Sequence, residues 1–104
     1  MENINRDYYK DFLELTLEVK EIPLFPNFTR EGNRGIIIIK NSKRHAIDQY
    51  CLEILESINW STSKYGIVYK IQLNYDAENS ITSISIIIDD YDTLNNKYSE
   101  FYDN

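Results

Sequence analysis

Two stretches in the second half of the chain alternate apolar and polar residues, and this alternation constrains the fold more than any other feature. From 65 to 75 every second residue is apolar, and Ile84, Ile86 and Ile88 repeat the pattern after a turn at 76–79. A period of two is typical of a strand with one buried face. The sequence therefore predicts an antiparallel hairpin whose two apolar faces coincide.

The length of the turn sets the register that we expect for this hairpin. A slip of one residue would turn the isoleucines to solvent, which the burial of one face disfavours. With four residues in the loop, the predicted pairs are Tyr75 with Ser80, Leu73 with Thr82, Ile71 with Ile84, Tyr69 with Ile86 and Ile67 with Ile88.

The remaining elements follow from shorter patterns. Residues 8–22 fit a helical stripe (Tyr8, Phe12, Leu15, Val19, Ile22) and also a strand-like alternation at 13–19, and the length of the stripe favours the helix. Residues 23–35, with both prolines and two glycines, are predicted to be a long loop. The β-branched run 36–39 predicts a strand covered on both faces, which is either an interior strand or an edge strand with a helix on each side.

Two further helices are predicted. A helix over 43–58, capped by Ser42 or Asn41, has an apolar face that includes Ile47, Cys51 and Ile54, and 59–64 is expected to be a connecting loop. Leu94, Tyr98, Phe101 and Tyr102 are spaced for a short terminal helix that Asp92 could cap. The prediction is an α+β single domain over 1–104, in the order α-β-α-β-β-α, around a small mixed sheet with a C-terminal antiparallel hairpin.

Length and composition set the broad class of protein. A chain of 104 residues buries roughly 65% of its unfolded surface, which is enough for one core. The longest apolar run has four residues and there is one cysteine, so we expect a soluble, cytoplasmic protein. Frequent Ile and Asn with scarce Ala indicate an AT-rich genome, such as a bacterial, phage or mobile-element genome.

No pattern in the sequence identifies a reaction. His45 is the one histidine and is expected at the electropositive start of a helix, while Cys51 lies on an apolar stripe. The acidic cluster Asp89, Asp90 and Asp92 lacks the glycine and glutamate of a calcium-binding loop, and no phosphate-binding glycine motif occurs. We therefore predict no enzymatic activity, no metal and no cofactor.

The net charge of −6 points to a protein partner instead of nucleic acid. In size, charge and lack of catalytic residues the chain resembles bacterial toxin-immunity proteins, which implies an inhibitor that occludes the active site of a basic, nuclease-type toxin. A phage anti-defence protein and a regulatory or assembly subunit are the alternatives. Acidic and exposed aromatic residues near the end of the chain form the predicted partner surface, with Tyr91 and Tyr98 as its apolar anchors: Asp89, Asp90, Tyr91, Asp92, Tyr98, Glu100, Tyr102 and Asp103.

A basic segment in the middle of the chain supports a second alternative. Residues 30–45 contain five bases and one acid, between two acidic flanks. At the start of a predicted helix such residues can hold a phosphate or a carboxylate. This reading makes the chain an anion-binding or RNA-binding module that uses Arg30, Arg34, Lys40, Lys43 and Arg44.

Overall fold

The computed structural model describes residues 6–41 and 45–102 and has an α+β fold, as predicted. Its four strands form an antiparallel sheet in the order β1-β2-β4-β3, so the expected mixed sheet is wrong. No helix in the described part of the chain is long and apolar enough to cross a membrane. The elements are α1 (Tyr8–Val19), β1 (Phe25–Glu31), β2 (Arg34–Lys40), α2 (Cys51–Ser63, after a 3-10 turn at Asp48–Tyr50), β3 (Tyr69–Tyr75), β4 (Ile81–Ile88) and α3 (Tyr91–Ser99).

Strand β1 lies where the sequence predicted a loop. It pairs with β2 through a two-residue turn, in which Gly32 occupies the left-handed region at φ 63° and Asn33 follows. Pro26 is tolerated because β1 is an edge strand. The dipeptide Gly32-Asn33 is a known hairpin signal, and it outweighs the loop-like composition around it.

Strand β2 is an interior strand, but helices cover only one of its faces. Ile37 and Ile39 are fully buried in the core. Ile36 and Ile38 point to the opposite, open face of the sheet and are only partly buried. The prediction of an interior strand is confirmed, whereas the prediction that both faces are covered is wrong.

The β3–β4 hairpin exists with the predicted faces and a different register. Ile71 pairs with Ile86 and Leu73 pairs with Ile84, a shift of two residues from the predicted pairing. A bulge near Tyr75 leaves Thr82 as the extra residue of β4. Because the shift is even, every isoleucine keeps its face, so the alternation could not reveal the error.

Helix α1 confirms the helical reading of the first element, but its buried face differs from the predicted one. Tyr9, Leu13 and Leu17 enter the core, whereas Leu15 is 50% and Val19 is 74% exposed. Two apolar patterns overlap in this segment, so the periodicity did not show which face of the helix is buried.

Helix α2 starts and ends later than predicted. Before it, the backbone of Ile47 donates a hydrogen bond to the Ile81 carbonyl at 2.7 Å, which keeps 45–47 out of the helix. At its end, Ser61 and Thr62 are fully buried, and the Thr62 hydroxyl bonds back to the Ile58 carbonyl at 2.7 Å. The sequence predicted a loop here because these residues are polar. Their burial results from tertiary packing, which the sequence pattern does not show.

Candidate functional site

The aromatic residues predicted as exposed anchors belong to the core. Tyr91 is 0% and Tyr98 is 1% exposed. The Tyr98 ring lies 5.1 Å from the ring of Tyr9 and 4.5 Å from that of Phe12, and Tyr91 lies 4.6 Å from Phe28. The prediction that Tyr91 and Tyr98 anchor a partner is therefore wrong, because their spacing is that of the buried face of α3.

The acidic cluster before α3 caps that helix. The Asp90 carboxylate accepts hydrogen bonds from the Thr93 backbone N–H at 3.4 Å and from the Asn33 side chain at 2.9 Å. These bonds lower the pKa of Asp90 below its ordinary value. The N-cap is thus Asp90 and not the predicted Asp92.

The acidic partner surface and the basic anion-binding segment, which the sequence predicted as alternative binding sites, are joined by two ion pairs. Arg30 forms an ion pair with Asp92, and Arg34 Nε lies 3.8 Å from the carboxylate of Asp89. Each of these four charged side chains therefore has a neighbour of opposite sign within the molecule. Lys40 is exposed, while Lys43, Arg44 and Asp103 fall outside the described residues.

The last two described members of the predicted surface differ in environment. Glu100 is exposed at the end of α3. Tyr102 is partly buried, with its ring 5.8 Å from that of Tyr8 and the Arg6 guanidinium 4.6 Å above it. Among the described residues, Asp89, Asp92 and Glu100 are all exposed carboxylates of the predicted surface, and Glu100 is the one of these three without an ion pair.

A groove between the end of α1 and the start of β1 combines carboxylates with apolar and aromatic surface. The sequence predicted this combination near the C-terminal end of the chain instead. The volume of the groove is about 480 Å³. Carboxylates from one side of α1 form the rim, and the segment leading into β1 forms the apolar floor. We call it the α1–β1 groove; it is lined by Glu14, Glu18, Glu21, Ile22, Pro23, Leu24 and Phe25.

The floor of the groove is buried in the core and its outer wall is exposed. Ile22 and Leu24 are 5% and 3% exposed and belong to the core. Phe25 is 64% exposed at the mouth of the groove, close in sequence to the exposed Val19. An exposed aromatic ring beside an anchored apolar floor is typical of binding surfaces.

Glu21 occupies a backbone position that normally favours glycine. Its φ is 57°, and it follows the C-cap of α1 with two capping bonds, from Glu21 N–H to the Glu18 carbonyl at 3.0 Å and from Ile22 N–H to the Leu17 carbonyl at 2.9 Å. This is a Schellman motif, in which glycine is the usual residue. A left-handed glutamate costs about 1 kcal/mol or more, so its side chain adds charge to the groove at the expense of stability.

The carboxylates of the rim differ in their partners. Glu14 forms an i, i+4 ion pair with Lys10 at 2.7 Å. Within residues 6–41 and 45–102, Glu18 and Glu21 form no ion pair. The spacing 14, 18 and 21 is visible in the sequence, but it does not reveal the groove, because the groove depends on the turn into β1.

Comparison with known proteins gives no relative. No family model, no curated protein and no solved structure matches the chain. The function of the groove is therefore argued from its own chemistry.

The residues considered for catalysis are not brought together. Cys51 is buried, its thiol donates to the Ile47 carbonyl at 3.4 Å, and burial raises its pKa. His45 is exposed and lies before the 3-10 turn, not in the first turn of a helix as predicted. Among the described residues, no group of three or more His, Cys, Asp or Glu side chains is placed to hold a metal ion.

Proposed function

We propose that this protein binds and inhibits a basic protein partner, and that it acts as an immunity protein that neutralises a nuclease-type toxin by covering its cationic active site. The observation that carries the proposal is the α1–β1 groove, which joins an apolar floor to a rim of carboxylates. A cytoplasmic inhibitor encoded in a bacterial or phage genome is the biological setting that we propose for it.

The chemistry of the groove matches lysine and arginine side chains. Their aliphatic stems pack on apolar surface while the charged heads stay near water and carboxylates. In the groove, Ile22 and Leu24 offer the apolar surface, and Glu18 and Glu21 offer carboxylates without an ion pair in the described chain. A neutral or acidic partner would leave these charges without compensation.

The net charge of the chain supports the same choice of partner. An excess of six negative charges steers a cationic protein towards the chain and raises the association rate at low salt. Electrostatic steering acts at a distance, so Glu100 and the paired carboxylates near α3 add to the negative electrostatic potential. The direct contact with the partner is made by the groove. The exposed ring of Phe25 then supplies the short-range apolar contact.

The experiment starts with a purified partner. Affinity capture from the native host is followed by mass-spectrometric identification, and binding is then measured with the recombinant partner. We expect Glu18→Lys with Glu21→Lys to weaken binding by about a hundredfold or more, through loss of the attraction and new repulsion. Glu53→Lys with Glu56→Lys, on exposed positions of α2, is the matched control and should change affinity by less than about tenfold.

Three results would overturn the proposal: an acidic partner, an affinity that is equal for both pairs of variants, or a partner activity that the complex leaves intact. Binding of an anionic ligand that is lost in Arg34→Glu with Lys40→Glu would favour the anion-binding alternative. The observation against that alternative is the pairing of Arg30 and Arg34 with Asp92 and Asp89.

A further inference from the structure

The two edges of the sheet are protected to different degrees. Strand β1 carries Pro26, which cannot donate to a ladder, and α1 packs against the strand. Strand β3 forms the other edge, has no proline, and pairs on one side only, with β4. A regular edge strand without protection is a template for pairing with another chain.

Apolar side chains at the β3 edge are incompletely buried. Ile71 and Leu73 face the helices and contact the core, yet each is only partly buried. Their partners on β4, Ile86 and Ile84, are fully buried. Tyr75, at the end of the strand, is 57% exposed. A further strand beside β3 would cover all three of these edge residues.

We propose that β3 pairs with β3 of a second copy of the chain, antiparallel about a two-fold axis at Gln72, so that two four-stranded sheets become one sheet of eight strands. In this register all seven residues of the strand find partners. The pairs are Tyr69 with Tyr75, Lys70 with Asn74, Ile71 with Leu73, and Gln72 with Gln72 of the other copy.

The register is self-complementary in both charge and shape. Ile71 and Leu73 bury each other on the helix side, and the two tyrosines form cross-strand aromatic pairs. On the open side no like charges oppose each other, because Lys70 faces an asparagine. Asp76, just after the strand, lies diagonally across from Lys70 of the other copy and has the opposite charge, while its Oδ1 accepts hydrogen bonds from the Glu78 and Ser80 N–H groups within the turn.

This inference goes beyond the proposed function and uses a different part of the molecule. The α1–β1 groove lies beside the opposite edge of the sheet, so both grooves stay open in the dimer. A dimer would present two binding sites for the basic partner. Loss of dimerisation and loss of partner binding can therefore be measured separately.

The test is the mass of the full chain in solution across a range of concentrations, by sedimentation equilibrium. We expect a reversible dimer. Lys70→Glu with Gln72→Glu places carboxylates opposite each other at the axis and beside Asp76, and it should raise the dimer dissociation constant by about tenfold or more. Asn27→Glu with Thr29→Glu adds negative charge to the same open face at the β1 edge and should leave the constant within about threefold.

A second pair of variants tests the register without relying on charge. The two Gln72 side chains meet at the axis, so Gln72→Cys should form a covalent dimer under mild oxidation by diamide, whereas Thr29→Cys should not. Circular dichroism confirms that each variant is folded. A chain that stays monomeric at millimolar concentration, or one whose cross-linking is equal at both positions, would overturn the proposal.

Discussion

Arg30 on β1 and Asp92 in the first turn of α3 form an ion pair, and the Arg30 guanidinium also lies 5.3 Å from the centre of the Tyr91 ring. The pair joins the β1–β2 hairpin to the last helix. It also joins the basic segment to the acidic segment, which the sequence presents as two separate interaction surfaces. Arg30 and Asp92, like Arg34 and Asp89, were predicted to contact a partner, and in the structure they form ion pairs with each other.

Exchanging the charges of Arg30 and Asp92 tests whether their ion pair stabilises the fold. Asp92→Arg alone should lower the free energy of unfolding by about 1 kcal/mol, because it places two cations together, and the double variant Arg30→Asp with Asp92→Arg should recover part of the loss. The measurement is urea denaturation of the wild type, the single variants Arg30→Asp and Asp92→Arg, and the double variant. Strictly additive effects would mean that the pair contributes nothing to stability.

Gly35 is expected to tolerate no side chain. A Cβ at this position would lie 2.5 Å from the ring of Tyr91, which is fully buried against β2. Gly35→Ala should therefore destabilise the fold by roughly 1–3 kcal/mol through overpacking. Thr29→Ala, on the exposed face of the neighbouring strand, should stay within about 0.5 kcal/mol. Equal unfolding midpoints for the two variants would contradict the packing of α3 on β2.

The hairpin register predicts unequal losses at two paired isoleucines. Ile86→Ala removes a side chain that is fully buried and should cost roughly 2–5 kcal/mol. Ile71→Ala, at the edge, should cost about 1 kcal/mol because the Ile71 side chain is itself only partly withdrawn from water. Gln72→Ala on the open face should change stability by less than about 0.5 kcal/mol. At concentrations where the chain is monomeric, a loss at Ile71 as large as that at Ile86 would contradict the edge position of β3.

Stability should fall in alkaline solution because of the buried phenols. Burial raises the pKa of Tyr98 to about 12 from its ordinary value of 10.0. Between these two values the unfolded chain loses the proton while the folded chain retains it, so the free energy of unfolding decreases as pH rises across the window. Chemical denaturation at several pH values, with tyrosinate absorbance, measures this. In Tyr98→Phe, the alkaline loss should be smaller; an unchanged slope would show that other groups cause it.

Glu21 should separate stability from binding. Glu21→Gly relieves the left-handed backbone and should raise the free energy of unfolding by about 1 kcal/mol. The same change removes a carboxylate from the groove and should weaken binding of the basic partner by several-fold at low salt. Lys20, at the adjacent C-cap, has a negative φ of −82°, so Lys20→Gly relieves no left-handed backbone and should destabilise instead. If Glu21→Gly binds as tightly as the wild type, this carboxylate takes no part in recognition.

The sequence by itself determined the type of most elements. Period-two alternation gave both strands of the β3–β4 hairpin and their buried faces, and helical spacing gave α2 and α3. Gly32-Asn33 marked the first hairpin as well, although composition favoured a loop around it. These features are local, because backbone sterics and the solvent preference of each side chain act over a few residues.

The tertiary structure decided which of these side chains remain available. Whether Tyr98 is an anchor or part of the core depends on α1 packing over α3, and whether Asp92 is a free charge depends on Arg30 arriving from β1. The same holds for the α1–β1 groove, which exists because Glu21 turns the chain from helix into strand. Ion pairs and burial join residues far apart in the chain, so the spacing of residues along the chain does not determine them, and the proposed binding surface follows from the packing.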